Sequence, residues 1–298
     1  MVKRLVSWAC VALAGAAPLA SLADASAAVR LSNFGYSLID LDPGDGIAPW
    51  VRFEPRRFDN DNTVGVVERA IGPDGLPLPE RLSERKHLFQ SGSFFPTVDL
   101  VASLPHTQAS VALSGSPADR SFSAVLQGSA TNRPGDGLYV SAFAATAYPA
   151  ESSSLPLDGR FAIGLSPHTE LVWTGQHTLE ARKTAAPDAG LRRERALART
   201  VLRVVHGGTR DELVAEVNTL SHPPGLVSES FDVHLSFANA SAKAANGFLI
   251  TWGQVYGTTS VGAVPEPGGW ALMLCGLGVV GAAARRRARA PRGHAAAG

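Results

Sequence analysis

From residue 29 onward the chain consists of short segments in which apolar and polar residues alternate, separated by clusters of Gly, Pro, Asp, Asn and Ser. In FDVHLSFA, residues 231–238, Phe231, Val233, Leu235 and Phe237 fall on one side and Asp232, His234 and Ser236 on the other. This is the period of a strand with one buried and one wet face. Similar runs occupy 29–41, 48–53, 63–69, 109–115, 121–128, 138–148, 160–165, 169–181 and 247–257. Such strands, joined by short turns, predict an all-β body over residues 29–263, an antiparallel β-sandwich or jelly roll.

Two stretches are less regular. Residues 188–220 mix helix-forming Arg, Glu, Ala and Leu with the strand-like TVLRVVHG. Strands are expected at Ala198–Val205 and Leu213–Val217. Residues 70–86, AIGPDGLPLPERLSERK, read as a surface loop. No period of solenoid or propeller length is present.

The ends are patterned differently. Lys3 and Arg4 precede an apolar run to about Ala17 and then small residues, the layout of a secretory signal peptide. Residues 1–28 are therefore expected to be handled by the Sec translocon and signal peptidase. Cleavage sites are available after Ala23 (Ser-Leu-Ala), Ala27 (Ala-Ser-Ala) or Ala28, and the mature chain is expected to start just before Val29. At the other end, Gly268 to Ala284 form an uninterrupted apolar segment of 17 residues, about 25 Å as a helix at ~1.5 Å per residue. That is short against a hydrocarbon core of about 30 Å. Arg285, Arg286, Arg287 and Arg289 follow at once, which places residues 291–298 in the cytoplasm as a disordered tail and the body outside.

Charge and cysteine content sharpen this division. Seven of the 27 basic residues lie in the two terminal segments, leaving 20 against 24 acidic residues between Val29 and Ala263. The body is thus mildly acidic, and no nucleic-acid partner is expected. Both cysteines, Cys10 and Cys275, also lie in the terminal segments. The body accordingly has no disulfide, no Cys nucleophile and no Cys-based zinc site.

Val264-Pro265-Glu266-Pro267, the short apolar helix and the arginine cluster stand in that order over residues 264–290. This arrangement resembles the PEP-CTERM sorting signal of Gram-negative bacteria. The resemblance implies recognition by an exosortase, cleavage near Pro-Glu-Pro, transient anchoring in the inner membrane, and release to the cell surface or extracellular matrix. It also implies a host that makes exopolysaccharide and lives in biofilm. Pro265 and Pro267 favour extended backbone around Glu266, the form a protease grips. Such tails are also described as the C-terminal domain of ice-binding proteins, but the body has no regular array of Thr. The opening of the body, LSNFGYSLIDLDPGDGIAP, resembles the start of other exported PEP-CTERM proteins and brings no activity with it.

The candidate chemistry of the body is sparse. Asp40, Asp42 and Asp45 in DLDPGDG are candidate calcium ligands, although the spacing is not that of an EF-hand and Asp and Gly are also ordinary turn residues. Trp50, Trp173 and Trp252 are candidates for stacking against sugar rings, with burial in the core as the alternative. His177 and His234 are expected on the wet faces of their strands. Between residues 29 and 263 no HExxH, GxSxG, GxxxxGK[ST] or GxGxxG occurs, so in the body zinc, nucleophilic and phosphate chemistry lack a signature. The leading expectation is a non-catalytic surface or matrix protein. The second is a secreted hydrolase acting on polysaccharide or peptide.

Overall fold

The computed structural model describes residues 23–261 except 55–58, 73, 75, 92–94, 118, 133–136, 149–162 and 185–191. Residues 1–22 of the expected secretory signal and the whole sorting segment, 264–290, therefore lie outside the described residues. Within them every regular element is a strand. The strands are β1 (Ala23–Asp40), β2 (Val51–Phe53), β3 (Asp59–Ile71), β4 (Pro77–Ser91), β5 (Val98–Leu104), β6 (Thr107–Ser116) and β7 (Ser121–Asn132), then β8 (Leu138–Tyr148), β9 (Ile163–Leu165), β10 (Thr169–Lys183), β11 (Arg192–His206), β12 (Thr209–Asn218), β13 (Gly225–Asn239) and β14 (Ala245–Val261).

They form two antiparallel sheets. One has six strands in the order β13-β10-β1-β7-β6-β5; the other has eight, with β12-β11-β14-β8-β3-β4 in line and β9 and β2 added beside β14. The facing sides share one apolar core, in which Val29, Leu126, Trp173 and Leu235 of the first sheet meet Val66, Ala142, Leu202 and Val255 of the second. This is a sandwich with more strands than the eight of a jelly roll. Small residues let the sheets approach closely at one end: a Cβ on Gly257 of β14 would lie 3.0 Å from the carbonyl oxygen of Ala25 in β1.

The sides are bridged as well. From β4, Glu84 accepts the Ser103 backbone N–H at 2.8 Å and Lys86 donates to the Val101 carbonyl at 2.5 Å, joining the edge of one sheet to β5 of the other. On the opposite side Asp211 of β12 accepts the Ser236 N–H of β13 at 2.9 Å. Charged side chains on these edges also block pairing with other chains.

Two expectations change. First, residues 77–86, expected within a surface loop over 70–86, belong to strand β4. β4 is an edge strand exposed on both faces, so its sequence carries no alternation to reveal it. The strands expected in 188–220 are present and longer than expected: β11 and β12 pair as a hairpin. Gly207 and Gly208, both with positive φ (51° and 81°), make its two-residue turn between His206 and Thr209. Second, β1 starts at Ala23 rather than near Val29, with Ala25 and Ala27 buried (0% and 4% exposed).

The two ends of the sandwich differ in content. Asp24 and Val261 both lie at the end where Ala25 meets Gly257. At the far end, the turn after β1, the β9–β10 turn and the β13–β14 turn come together: Leu41 donates its N–H to the His168 carbonyl at 2.7 Å, and His168 donates to that of Ser241 at 3.3 Å.

Candidate functional site

A polar trough of about 400 Å³ crosses the outer face of the six-stranded sheet. Alternation along each strand dictates its lining. In β1, Ala25, Ala27 and Val29 turn inward, so Ser26, Ala28 and Arg30 turn out. Register then brings outward residues from neighbouring strands into rows. One row runs Leu226, Arg182, Ser26, Ser129, Gln108; the next runs Glu180, Ala28, Gln127, Ser110. Ser26, Ala28, Ser110 and Ser129 give a floor of short side chains. Arg30, Glu180 and Arg182 form one wall and Gln108 and Gln127 the other. The Arg30 guanidinium lies 3.8 Å from the Glu180 carboxylate, leaving Arg182 to give the trough one net positive charge.

Guanidinium, carboxylate, amide and hydroxyl groups in one shallow channel present donors and acceptors together. Such a set matches pairs of sugar hydroxyls, and the positive balance also accepts a carboxylate. Sequence reasoning missed these residues. Their one local signal is the wet phase of their strands, and β1 meets β7 and β10 only through pairings between positions far apart in the chain, such as Ser26 with Ser129 and with Arg182.

The aspartates are brought together only in part. At the far end of the sandwich one ligand atom each from Asp42, Asp45 and His168 lie within 4.8 Å of one another, while Asp40 is not in the group. Each aspartate closes its own turn through Oδ1: Asp40 accepts the Asp42 N–H at 3.0 Å, Asp42 the Gly44 N–H at 3.2 Å, and Asp45 the Ile47 N–H at 2.6 Å. An imidazole in the trio departs from the all-oxygen shell that calcium takes. Turn closure occupies Oδ1 of all three residues, while Asp45 Oδ2 is buried without a hydrogen-bond partner. Elsewhere on the surface, Asp61 Oδ1 of β3 lies 2.6 Å from His87 Nε2 of β4.

The tryptophans do not share a surface. Trp173 is fully buried, parallel to Phe34 at 5.6 Å between centroids and edge-on to Tyr36 at 5.4 Å. It cannot offer a face to a sugar, because it follows Leu171 in the inward phase of β10. Trp252 is half-buried on the outer face of the eight-stranded sheet, with the Arg199 guanidinium 5.5 Å from its ring centroid. Trp50 is 41% exposed at the far end, its ring resting against Gly164.

Of the two strand histidines, His234 is exposed as expected. His177 is not: it is 2% exposed and faces the core. It shares the inward phase of Trp173 and Leu179. Burial pushes its pKa down to about 4, so the ring is neutral at pH 7.

Two residues beyond the end of β14, the chain matches the PEP-CTERM protein-sorting motif over residues 263–287. No curated protein and no solved structure matches the chain. The motif makes this a PEP-CTERM sorting domain-containing protein: exported, held at the membrane in transit, and processed by an exosortase.

Proposed function

We propose that the protein is a non-catalytic component of the cell surface or extracellular matrix, delivered by exosortase and holding exopolysaccharide in the polar trough of its six-stranded sheet. The observation that carries this reading is the trough itself, on a chain whose sorting motif begins just after its last strand. The trough contains one carboxylate, Glu180, whereas glycoside hydrolysis ordinarily takes two. That single acid supports binding over the hydrolase reading. The entering and leaving ends of the sandwich lie together, so a chain tethered through Val264, Pro265, Glu266 and Pro267 holds the far end, with Trp50 and Asp42, away from the membrane. After cleavage the body is free to join the matrix, in the biofilm setting that sorting signals of this kind imply.

Immunoblots of cell, membrane and medium fractions from strains with and without the exosortase test the sorting half of this reading. The expected result is a shortened form at the surface or in the medium of the parent strain, and a full-length membrane-bound form in the deletion strain. Unchanged mass and location in both strains would overturn it.

A further inference from the structure

The sequence offers three places for signal peptidase to cut, and the fold distinguishes between them. We infer that the cut falls between Ala23 and Asp24, so that the mature protein begins at Asp24.

Residues 24–28 are structural. They lie in the middle of the six-stranded sheet, paired on both sides: Ala25 opposite Lys183 and Ala130, Ala27 opposite Ala181 and Gly128. Ala25 is fully buried, and Ala27 and Ala28 are nearly so. Across the core, the Ala25 carbonyl packs against Gly257 so closely that a Cβ there would lie 3.0 Å away. A cut after Ala27 or Ala28 would take away this segment. The ends of β7 and β10 would then lose their shared partner in the centre of a sheet, leaving backbone donors and acceptors exposed or unsatisfied. The floor of the trough would lose Ser26 as well.

A cut after Ala23 keeps every one of these pairings, and the new terminus finds a prepared place. The Asp24 nitrogen lies 2.9 Å from Thr184 Oγ1, and the Asp24 carbonyl accepts the Thr184 N–H at 3.2 Å. Thr184 Oγ1 in turn lies 3.4 Å from Glu194 Oε2. Hydrolysis adds the water oxygen to the Ala23 carbonyl carbon and leaves the Asp24 nitrogen as an ammonium. That positive charge arises one hydroxyl away from the Glu194 carboxylate, linked to it through Thr184 Oγ1, and the opposite sign stabilises it. Ser21 and Ala23 supply the small residues that signal peptidase requires.

The test is chemical labelling of free amino termini on the full-length precursor after export in a Gram-negative host, followed by trypsin digestion and mass spectrometry. The expected labelled peptide runs from Asp24 to Arg30. A labelled terminus at Ala28 or Val29, or an uncut Met1, would overturn the inference. The readout concerns only the amino end, so it stands or falls independently of polysaccharide binding and of processing at Pro-Glu-Pro.

Discussion

The imidazole of His177 lies flat against the ring of Phe231, centroids 5.3 Å apart and planes within 13°, inside the core between the sheets. Its Nδ1 has no hydrogen-bond partner, so protonation there would place an uncompensated charge in the core. With a folded pKa of about 4 against about 6.5 for a free histidine, the unfolded chain binds the proton first. Stability is therefore full above about pH 6.5 and declines as the pH falls toward 4, by about 3 kcal/mol in total. Urea melts of the body at pH 7 and pH 4.5 measure this decline. Its portion due to His177 is expected to disappear in His177→Leu; an identical pH dependence in the variant would contradict the assignment.

Trp173 separates packing from binding. Trp173→Ala removes the centre of the Phe34, Tyr36 and Phe53 cluster and is expected to cost about 3–5 kcal/mol of stability. Chemical denaturation measures the loss. Polysaccharide binding by the folded fraction is expected to stay unchanged, which a sugar-stacking role for this residue would not allow.

Gly115 marks a close passage of backbone. A Cβ there would lie 2.6 Å from the Phe95 carbonyl oxygen and 2.7 Å from its Cα. Gly115→Ala is expected to destabilise the fold by about 1–3 kcal/mol through forced displacement of the chain. A thermal midpoint equal to the parent's would show that the passage is looser.

Calcium gives a further test. Because Asp40, Asp42 and Asp45 each close a turn through Oδ1 and His168 stands beside two of them, millimolar calcium is expected to leave the thermal midpoint of the body unchanged. A rise of several degrees that chelator reverses would establish a calcium site instead.

Much of this architecture is legible in the sequence, and the failures are physical ones. The run at 138–148 coincides with β8, and FDVHLSFA lies in β13 with its phase as read. Trp173 and His177 share the inward phase of Leu171 and Leu179, a phase that the polarity of the imidazole masks. Strand β4 was not legible, since an edge strand wet on both faces needs no apolar alternation. Nor were Ala25 and Ala27, whose small side chains serve equally as a signal-peptide end and as the seam of a sheet. The trough lay furthest out of reach. Its walls come from β1, β6, β7 and β10, and only their register assembles Arg182, Ser26, Ser129 and Gln108 into one row.

On the proposed reading, the outer face of the six-stranded sheet holds exopolysaccharide. Co-sedimentation of the purified body, Asp24 to Val261, with the host's extracellular polysaccharide measures it directly, alongside a variant carrying Arg182→Ala and Gln127→Ala. Both side chains are on the outer face, so the variant is expected to keep the parent's thermal midpoint within about 0.5 kcal/mol of stability. The parent is expected to pellet with the polysaccharide and the variant to remain in the supernatant. A parent that stays soluble, or a variant that pellets equally well, would contradict the account.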